Sequence, residues 1–139
     1  MNNLADDPQY ADLLAELREE MVRYSKEIKD LGFMPEFEMQ RRSTGSMAAE
    51  VREQYDADAV IDAAMLVGEE GVKEQQLELL ASPDPLVRYW AAVGVYVQGE
   101  KAVADKEKII DLYQRETFES AKLKLAAFLY KSVSYTHLR

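Results

Sequence analysis

The sequence predicts an all-α protein with one long N-terminal helix, an irregular strap, and antiparallel helix pairs stacked as a short solenoid. Apolar residues recur at helical spacing in residues 7–31 and again in residues 47–131. Strand-like alternation, Asn-Gly hairpin turns and runs of β-branched residues are missing from residues 47–131. Alanine pairs recur at 63–64, 91–92 and 126–127, at offsets of 28 and 35 residues. Recurrence of this kind is typical of stacked helical repeats.

The N-terminal helix is predicted over residues 7–31. Asp7 suits the N-cap, Pro8 suits the first helical position, and Gly32 can end the helix in a left-handed conformation. One apolar stripe runs along it, made of Tyr10, Leu14, Leu17, Met21, Tyr24, Ile28 and Leu31 and widened by Leu13. A coiled coil would show the same stripe. Three heptads are short for a coiled coil, so we expect the helix to pack against a larger body.

Residues 33–47 are predicted to form an irregular strap. Pro35 and Gly45 interrupt the helical periodicity, and Ser43 to Ser46 form a turn-like cluster. The strap nevertheless carries four apolar residues that favour burial: Phe33, Met34, Phe37 and Met39. We therefore expect an ordered strap lying on the neighbouring domain. A loosely attached loop is the alternative.

Helical patterning continues from residue 47 to residue 131. The predicted helices are about 48–54, 57–68, 71–81, 84–98, 103–115 and 117–131. The predicted breaks are Gly68/Gly71, Ser82-Pro83-Asp84-Pro85, Gly99 and Glu116/Thr117. Because the connections are short, successive helices should form antiparallel hairpins.

The segment Ser82–Val95, "SPDPLVRYWAAVGV", contains Arg88, Tyr89 and Trp90 in succession. These residue types are common in binding hot spots and also in the interior of helical stacks. Asp84 can cap the next helix and can also pair with Arg88 one turn later. Trp90 shares a broad apolar face with Leu86, Val93 and Val97, and Gly94 would admit a close helix neighbour. We interpret Asp84, Arg88, Trp90, Ala91 and Ala92 as structural repeat residues. A partner contact through Arg88 or Trp90 is the alternative.

Composition excludes several classes of function. The net charge of −9 lacks the basic footprint of a nucleic-acid-binding protein and would be repelled by an anionic membrane. The chain has no Cys, which rules out disulfides, thiolate metal sites and cysteine nucleophiles. Its one histidine, His137, lies almost at the C-terminus. No apolar run spans a bilayer, and the N-terminus does not resemble a signal peptide. We therefore predict no catalytic, cofactor-binding or metal-binding residue in this chain.

Three charged clusters have an ordinary interpretation. Asp56, Asp58 and Asp62 lack the spacing of a calcium loop, so we interpret them as caps and surface charge. Lysines give the last third a more basic character, with acids between them: Lys101, Lys106, Lys108, Lys122, Lys124 and Lys131. A solvated face is the default interpretation. Arg41-Arg42 are two adjacent cations in the strap.

Two resemblances add to this interpretation. "LLASPDPLVRYWAAVGV" resembles a HEAT repeat through Leu79-Leu80, a Ser/Asp/Pro turn, Val87-Arg88 and Ala91-Ala92. "NNLADDPQYADLLAELREEM" resembles the C-terminal end of the sulfatase family, of the arylsulfatase and sulfoglucosamine sulfohydrolase type. The residues that carry this likeness are Asn3-Leu4-Ala5, Pro8, Tyr10, Leu13, Leu14 and Leu17. "GFMPEFEM", residues 32–39, is similar to the segment that follows that helix in sulfatases with a helical-repeat extension.

The sulfatase resemblance implies a hydrolase of sulfate esters or sulfamates that uses calcium and a formylglycine made within Cys/Ser-x-Pro-x-Arg. No such motif occurs here. Arg41-Arg42 in the strap could meet sulfated substrate in the parent enzyme, a hypothesis that only two arginines support. The resemblance therefore implies a fragment whose catalytic domain lies upstream of Met1 in an exported parent enzyme. Residues 1–32 would be the closing helix of that domain, 33–47 the strap and 48–131 the HEAT-like repeats. Residues 132–139 resemble the non-native tail of a truncated gene, so we expect a non-native or disordered segment there.

Two functions are consistent with the sequence. The first is a non-catalytic C-terminal fragment of a sulfatase, in which the helical repeats pack against the missing catalytic domain. The second is an independent HEAT-like scaffold that binds protein partners, with the N-terminal helix capping the solenoid. An enzyme acting by itself is a distant third, because the sequence offers no nucleophile–base pair, phosphate loop or metal cluster.

Overall fold

The computed structural model describes residues 3–43, 45 and 48–137, with side chains described as far as residue 133. The described residues form helices and turns without a β-strand, so the predicted all-α class is confirmed. The helices are α1 (Ala11–Glu27), α2 (Glu36–Ser43), α3 (Ala48–Glu53), α4 (Ala57–Met65), α5 (Lys73–Leu79), α6 (Pro85–Gln98), α7 (Lys106–Arg115) and α8 (Glu119–His137). From α3 onward, the helix bounds lie within a few residues of the predicted ones as far as Lys131.

Three helices follow one another in a row through the centre of the molecule. α4 packs on α6 and α6 packs on α8, while α5 lies against α6 and α7 against α8. The alanine pairs that suggested the repeats lie on these three helices, at 63–64, 91–92 and 126–127. Ala91 and Ala92 are fully buried, since α6 has neighbours on both sides. The pair at 126–127 is only half-buried.

Two apolar clusters stabilise this arrangement. The first surrounds Val60 and Ile61 of α4 and includes Leu31, Met34 and Val51. The second joins α5, α6 and the last two helices; its buried members include Leu77, Ala91, Val95, Ile109, Leu125 and Phe128. Leu79 and Phe118 contact both clusters, so the two are neighbouring parts of one interior. Burial of such side chains contributes about 1.5–3 kcal/mol each.

The N-terminal helix is shorter than predicted. Asp7 caps a 3₁₀ turn, Pro8–Tyr10, that precedes α1, and the helix ends at Glu27 rather than Leu31. Lys29 adopts the left-handed conformation, with a φ of 49°, that the sequence suggested for Gly32. Gly32 instead lies in a second 3₁₀ turn, where its N–H donates to the side chain of Asp30 over 2.9 Å. Asp30 thus caps the second 3₁₀ turn, and Leu31, the first residue of that turn, lies in the core.

The strap also differs from the sequence-based prediction, because its middle is helical. Helix α2 begins directly after Pro35, with Glu36 and Glu38 in its first turn and Arg41 and Arg42 in its last. This charge order favours a helix through its dipole. As expected, Met34 is buried and Phe33 and Met39 pack on the first cluster, but Phe37 is 59% exposed. Residues 44, 46 and 47 of the strap lie outside the described part of the chain.

The last helix extends farther than predicted. α8 continues past Lys131 to His137, and the side chain of Ser132 is fully buried, with its hydroxyl donating to the carbonyl of Leu129 over 2.7 Å. The structure therefore shows helix in residues 132–137, where we expected a disordered or non-native tail. Residues 138 and 139 lie outside the described range.

Gly94 marks the closest approach between α5 and α6. A Cβ atom at this position would lie 2.4 Å from Nε2 and 2.6 Å from Cδ of Gln76. Gln76 is fully buried, and its Nε2 donates to the carbonyl of Leu66 over 2.7 Å. Its Oε1 accepts from Nε2 of Gln98 over 3.0 Å. The sequence-based expectation that Gly94 admits a close neighbour is confirmed, and that neighbour is a hydrogen-bonded glutamine.

We expect Gly94→Ala to lower the free energy of unfolding by about 1–2 kcal/mol, measured by urea denaturation. Overpacking against Gln76 costs about 1–3 kcal/mol, and the better helix propensity of alanine recovers up to about 1 kcal/mol of it. Gln76→Ala removes the obstructing side chain, so Gly94→Ala should cost clearly less in that background. An equal cost in both backgrounds would contradict the clash.

Candidate functional site

The predicted cap of α6 is present. Oδ1 of Asp84 accepts from the N–H of Leu86 over 2.7 Å, and Pro85 occupies the first helical position. The hydroxyl of Ser82 accepts from the N–H of Asp84 over 3.2 Å, which tightens the turn before the helix. Because its carboxylate is used in the cap, Asp84 does not form the ion pair with Arg88 that we predicted.

Arg88 pairs instead with Glu116, in the connection between α7 and α8. Its Nε and Nη2 donate to Oε2 and Oε1 of Glu116 over 2.8 and 2.9 Å. Its Nη1 donates to the carbonyls of Ser82 and Pro83, over 3.0 and 3.1 Å. The Glu116 side chain is 3% exposed and that of Arg88 is 17% exposed. Arg88 therefore joins the turn before α6 to the start of the last helix.

The charge of Glu116 is stabilised from several directions. Burial by itself would raise the pKa of Glu116, but the hydrogen bonds from Arg88 and from the N–H groups of Phe118 and Thr117 outweigh burial and lower that pKa. The hydrogen bonds from Arg88 to Glu116 raise the pKa of Arg88 in turn. Both groups are therefore charged at neutral pH, and their pairing is a structural connection between helices.

Trp90 connects α6 to the segment that follows α1. Its indole Nε1 donates to the carbonyl of Phe33 over 2.7 Å. The rings of Trp90 and Phe33 have centroids 6.1 Å apart, and Tyr89 meets Trp90 edge-on at 5.3 Å. The structure thus places Trp90 against the first cluster, while Val97, predicted on the same apolar face, is 51% exposed.

The other charged residues singled out in the sequence lie in ordinary structural positions. Asp56 caps α4 by accepting from the N–H of Ala59 over 3.2 Å, and Asp62 pairs with Lys26 of α1. Arg41 and Arg42 both pair with Glu38, whose side chain is 3% exposed. The hydrogen bonds from Arg41, with those from Arg42, lower the pKa of Glu38 against the opposing effect of burial.

Within the described residues, no group of three or more His, Cys, Asp or Glu side chains is arranged to hold a metal ion. No helix among the described residues is long and apolar enough to cross a membrane.

The outer face of α1 is the largest uncovered apolar feature near the N-terminus. We call it the α1 face and define it as Leu13, Leu17, Met21, Tyr24 and Ile28, which are 39–57% exposed. All five belong to the stripe predicted from the sequence. Of the rest of that stripe, Leu31 is buried and Tyr10 and Leu14 are half-buried.

A different side of α1 makes the contacts with the rest of the molecule. α1 packs on α4 through Val22 and Ser25, and Lys26 reaches Asp62. Next to the α1 face, a groove between α1 and α4 has an apolar floor and charged edges; its lining includes Met21, Val22, Met65, Val67, Arg18 and Glu69. The face and the groove together form a surface that a second apolar element could cover.

Several important polar partners were not identified from the sequence. Glu116, Glu38 and Gln76 are buried, and each is held by two or more hydrogen bonds. For Glu38 a local signal existed, since Arg41 and Arg42 follow it by three and four residues, which is the spacing of helical ion pairs. The ion-pair partner of Glu116 lies 28 residues away and the hydrogen-bond partners of Gln76 lie 10 and 22 residues away, so no local pattern indicated these contacts.

No protein-family model, curated protein or solved structure matches this chain.

Proposed function

We propose that this chain is a non-catalytic helical packing region, which uses the α1 face to cover a surface of a larger protein. The observation that carries the proposal is the exposure of five large apolar side chains on one side of a helix whose other side is already packed. Contiguous apolar patches of this kind mark interaction sites in soluble proteins. The ion pairs with buried carboxylates, Arg42–Glu38 and Arg88–Glu116, lie outside α1 and do not involve the α1 face.

The sulfatase resemblance supports an identity for that larger protein. Asn3-Leu4-Ala5, Pro8 and Tyr10 lead into α1 in the order found at the end of a sulfatase catalytic region. On this proposal the parent is a sulfuric ester or sulfamate hydrolase, its calcium and formylglycine lie in the catalytic region, and the present chain is inactive alone. Sequencing the DNA upstream of Met1 tests the assignment. A true start codon with no Cys/Ser-x-Pro-x-Arg reading frame before it would refute the sulfatase parent.

Two substitutions on the α1 face test the docking itself. Leu17→Glu and Met21→Glu should change the free energy of unfolding by less than about 0.5 kcal/mol, because both residues are more than half exposed. The same variants should abolish binding to the separately expressed catalytic region, measured by calorimetry. Val22→Glu, on the packed side of α1, should instead lower stability by more than about 1 kcal/mol. Unchanged binding by both face variants would contradict the proposal.

A second function, an independent HEAT-like scaffold, is favoured by the row formed by α4, α6 and α8. Alanine pairs at corresponding positions of successive packed helices are what a stacked-repeat design requires. Amide exchange separates the two functions. If α1 caps a solenoid, its amide protons should exchange as slowly as those of α6; if α1 belongs to a lost domain, they should exchange quickly in the isolated chain.

A further inference from the structure

The last helix has a second uncovered apolar surface. Leu123, Tyr130 and Val133 of α8 are 68%, 81% and 46% exposed, and their spacing places them on one side of the helix. We call this side the α8 face. The opposite side of α8 is in the core, where Ala121, Leu125 and Phe128 are almost fully buried. α8 is therefore apolar on two sides, and only one of them is covered by the described residues.

The charges around the α8 face are mainly basic. Lys124 and Lys131 lie along one edge and Lys122 along the other, while one exposed acid, Glu119, lies one turn before Leu123 on the same side. Lys122 donates to the carbonyl of Glu116, and Nζ of Lys131 lies 4.3 Å above the ring of Tyr96. Lys124 forms no ion pair with any described residue. An element that covers this face would meet positive charge at its borders.

The edge of the α1 face has the opposite character. Asp12, Glu16, Glu20 and Glu27 follow one side of it, and Arg23, which pairs with Glu20 and Glu27, is the only cation among them. Glu16 is exposed and forms no ion pair with the described residues. The two apolar faces of this chain are thus bordered by charges of opposite sign.

The two faces cannot meet within one molecule. α1 packs on α4, α4 on α6 and α6 on α8, so α1 and α8 lie at opposite ends of this series of helices. Contact between the faces therefore requires a second copy.

We propose that the α8 face of one copy binds the α1 face of the next, so that the isolated chain self-associates head to tail. Charge selects this pairing, since two α1 faces would oppose carboxylates and two α8 faces would oppose lysines. Head-to-tail contacts are heterologous, and when the rotation does not close they generate open chains. The proposal rests on the same α1 face as the proposed function, so a catalytic region and a second copy compete for it.

Sedimentation equilibrium of the full chain, from micromolar to millimolar concentration at low salt, tests this assembly. Wild type should show an average mass that rises steadily with concentration. Leu123→Glu should weaken association at least about tenfold, because it places a charge in the centre of the contact. Lys124→Glu and Glu16→Lys should each weaken it by about fivefold. Lys108→Glu, an equal charge change at an exposed site on α7, is the control and should have no effect.

Mixing the two charge variants distinguishes the partners. Lys124→Glu mixed with Glu16→Lys should recover wild-type association, because the reversed faces are again complementary. Stronger association of Glu16→Lys with wild type than of wild type with itself would overturn the proposal in favour of paired α1 faces. The same result with Lys124→Glu would indicate paired α8 faces, and a monomer at every concentration would refute self-association. Because Lys124→Glu leaves the α1 face intact, it should not affect binding of a catalytic region, which keeps the two proposals separately testable.

Discussion

Replacing Glu116 by Gln is expected to lower the free energy of unfolding by about 3 kcal/mol. The substitution keeps the shape of the side chain but leaves the guanidinium of Arg88, 17% exposed, without its carboxylate. It also weakens the hydrogen bond that the N–H of Phe118 donates to Oε1 of Glu116 over 2.7 Å, at the entry to α8. Urea denaturation followed by circular dichroism at pH 7 measures the effect.

The matched control is Glu119→Gln, an exposed residue three positions later that should change stability by less than about 0.5 kcal/mol. A double-mutant cycle with Arg88→Met then measures the interaction energy between Arg88 and Glu116. Once the guanidinium is removed, Glu116→Gln should cost much less, since the buried charge that it left unpaired is no longer there. Equal costs in both backgrounds would show that the ion pair does not stabilise the fold.

The same pair determines part of the acid sensitivity. The pKa of Glu116 is lower in the folded chain than in the unfolded chain, so the folded state binds fewer protons as pH falls. The stabilisation is complete above the unfolded pKa, about 4.3, and is lost as pH falls through the lower folded value. Glu116→Gln should therefore make the decrease in stability at acidic pH, below the unfolded pKa, shallower. The remaining decrease includes that of Glu38, whose pKa is also lowered.

Sequence patterns predicted the parts of this fold that depend on neighbouring residues. Asp84 and Pro85 start α6 as expected, because a cap and its helix lie within one turn. The partner of Arg88 lies 28 residues away, and Asp84 was a plausible local substitute. Tertiary packing brings the α7–α8 connection beside the start of α6, so Arg88 pairs with Glu116 rather than with Asp84.

Periodicity on α1 identified an apolar face without specifying whether the chain itself covers it. The stripe of α1 is regular, but contacts within the chain use Val22 and Ser25 on another side of the helix. In the strap, Pro35 suggested that the helical pattern is interrupted. In the structure Pro35 directly precedes helix α2. In both cases the pattern is local, and the outcome depends on which surfaces are available to pack.

Replacing Trp90 by Ala is expected to lower the free energy of unfolding by about 3 kcal/mol, and replacement by Phe by about 1 kcal/mol. Ala removes the whole ring system that packs on Phe33 and the first cluster, whereas Phe retains one aromatic ring and loses the second ring and the hydrogen bond from Nε1 to the carbonyl of Phe33. Urea denaturation followed by circular dichroism measures both effects, since the chain has one tryptophan and neither variant retains its fluorescence.

Amide exchange shows whether Trp90 acts by holding the segment after α1 onto α6. Trp90 donates across 57 residues, and this hydrogen bond joins Phe33 to the centre of the molecule. In Trp90→Phe, amides of α7 should exchange faster by no more than the about fivefold that a global loss of about 1 kcal/mol produces, while amides of residues 31–40 should speed up by clearly more than that. Phe37→Ala, an exposed aromatic in the same segment, should leave exchange and stability unchanged. If exchange instead rises equally in all helices of Trp90→Phe, then the indole contributes to overall stability and does not specifically anchor α1 and the strap.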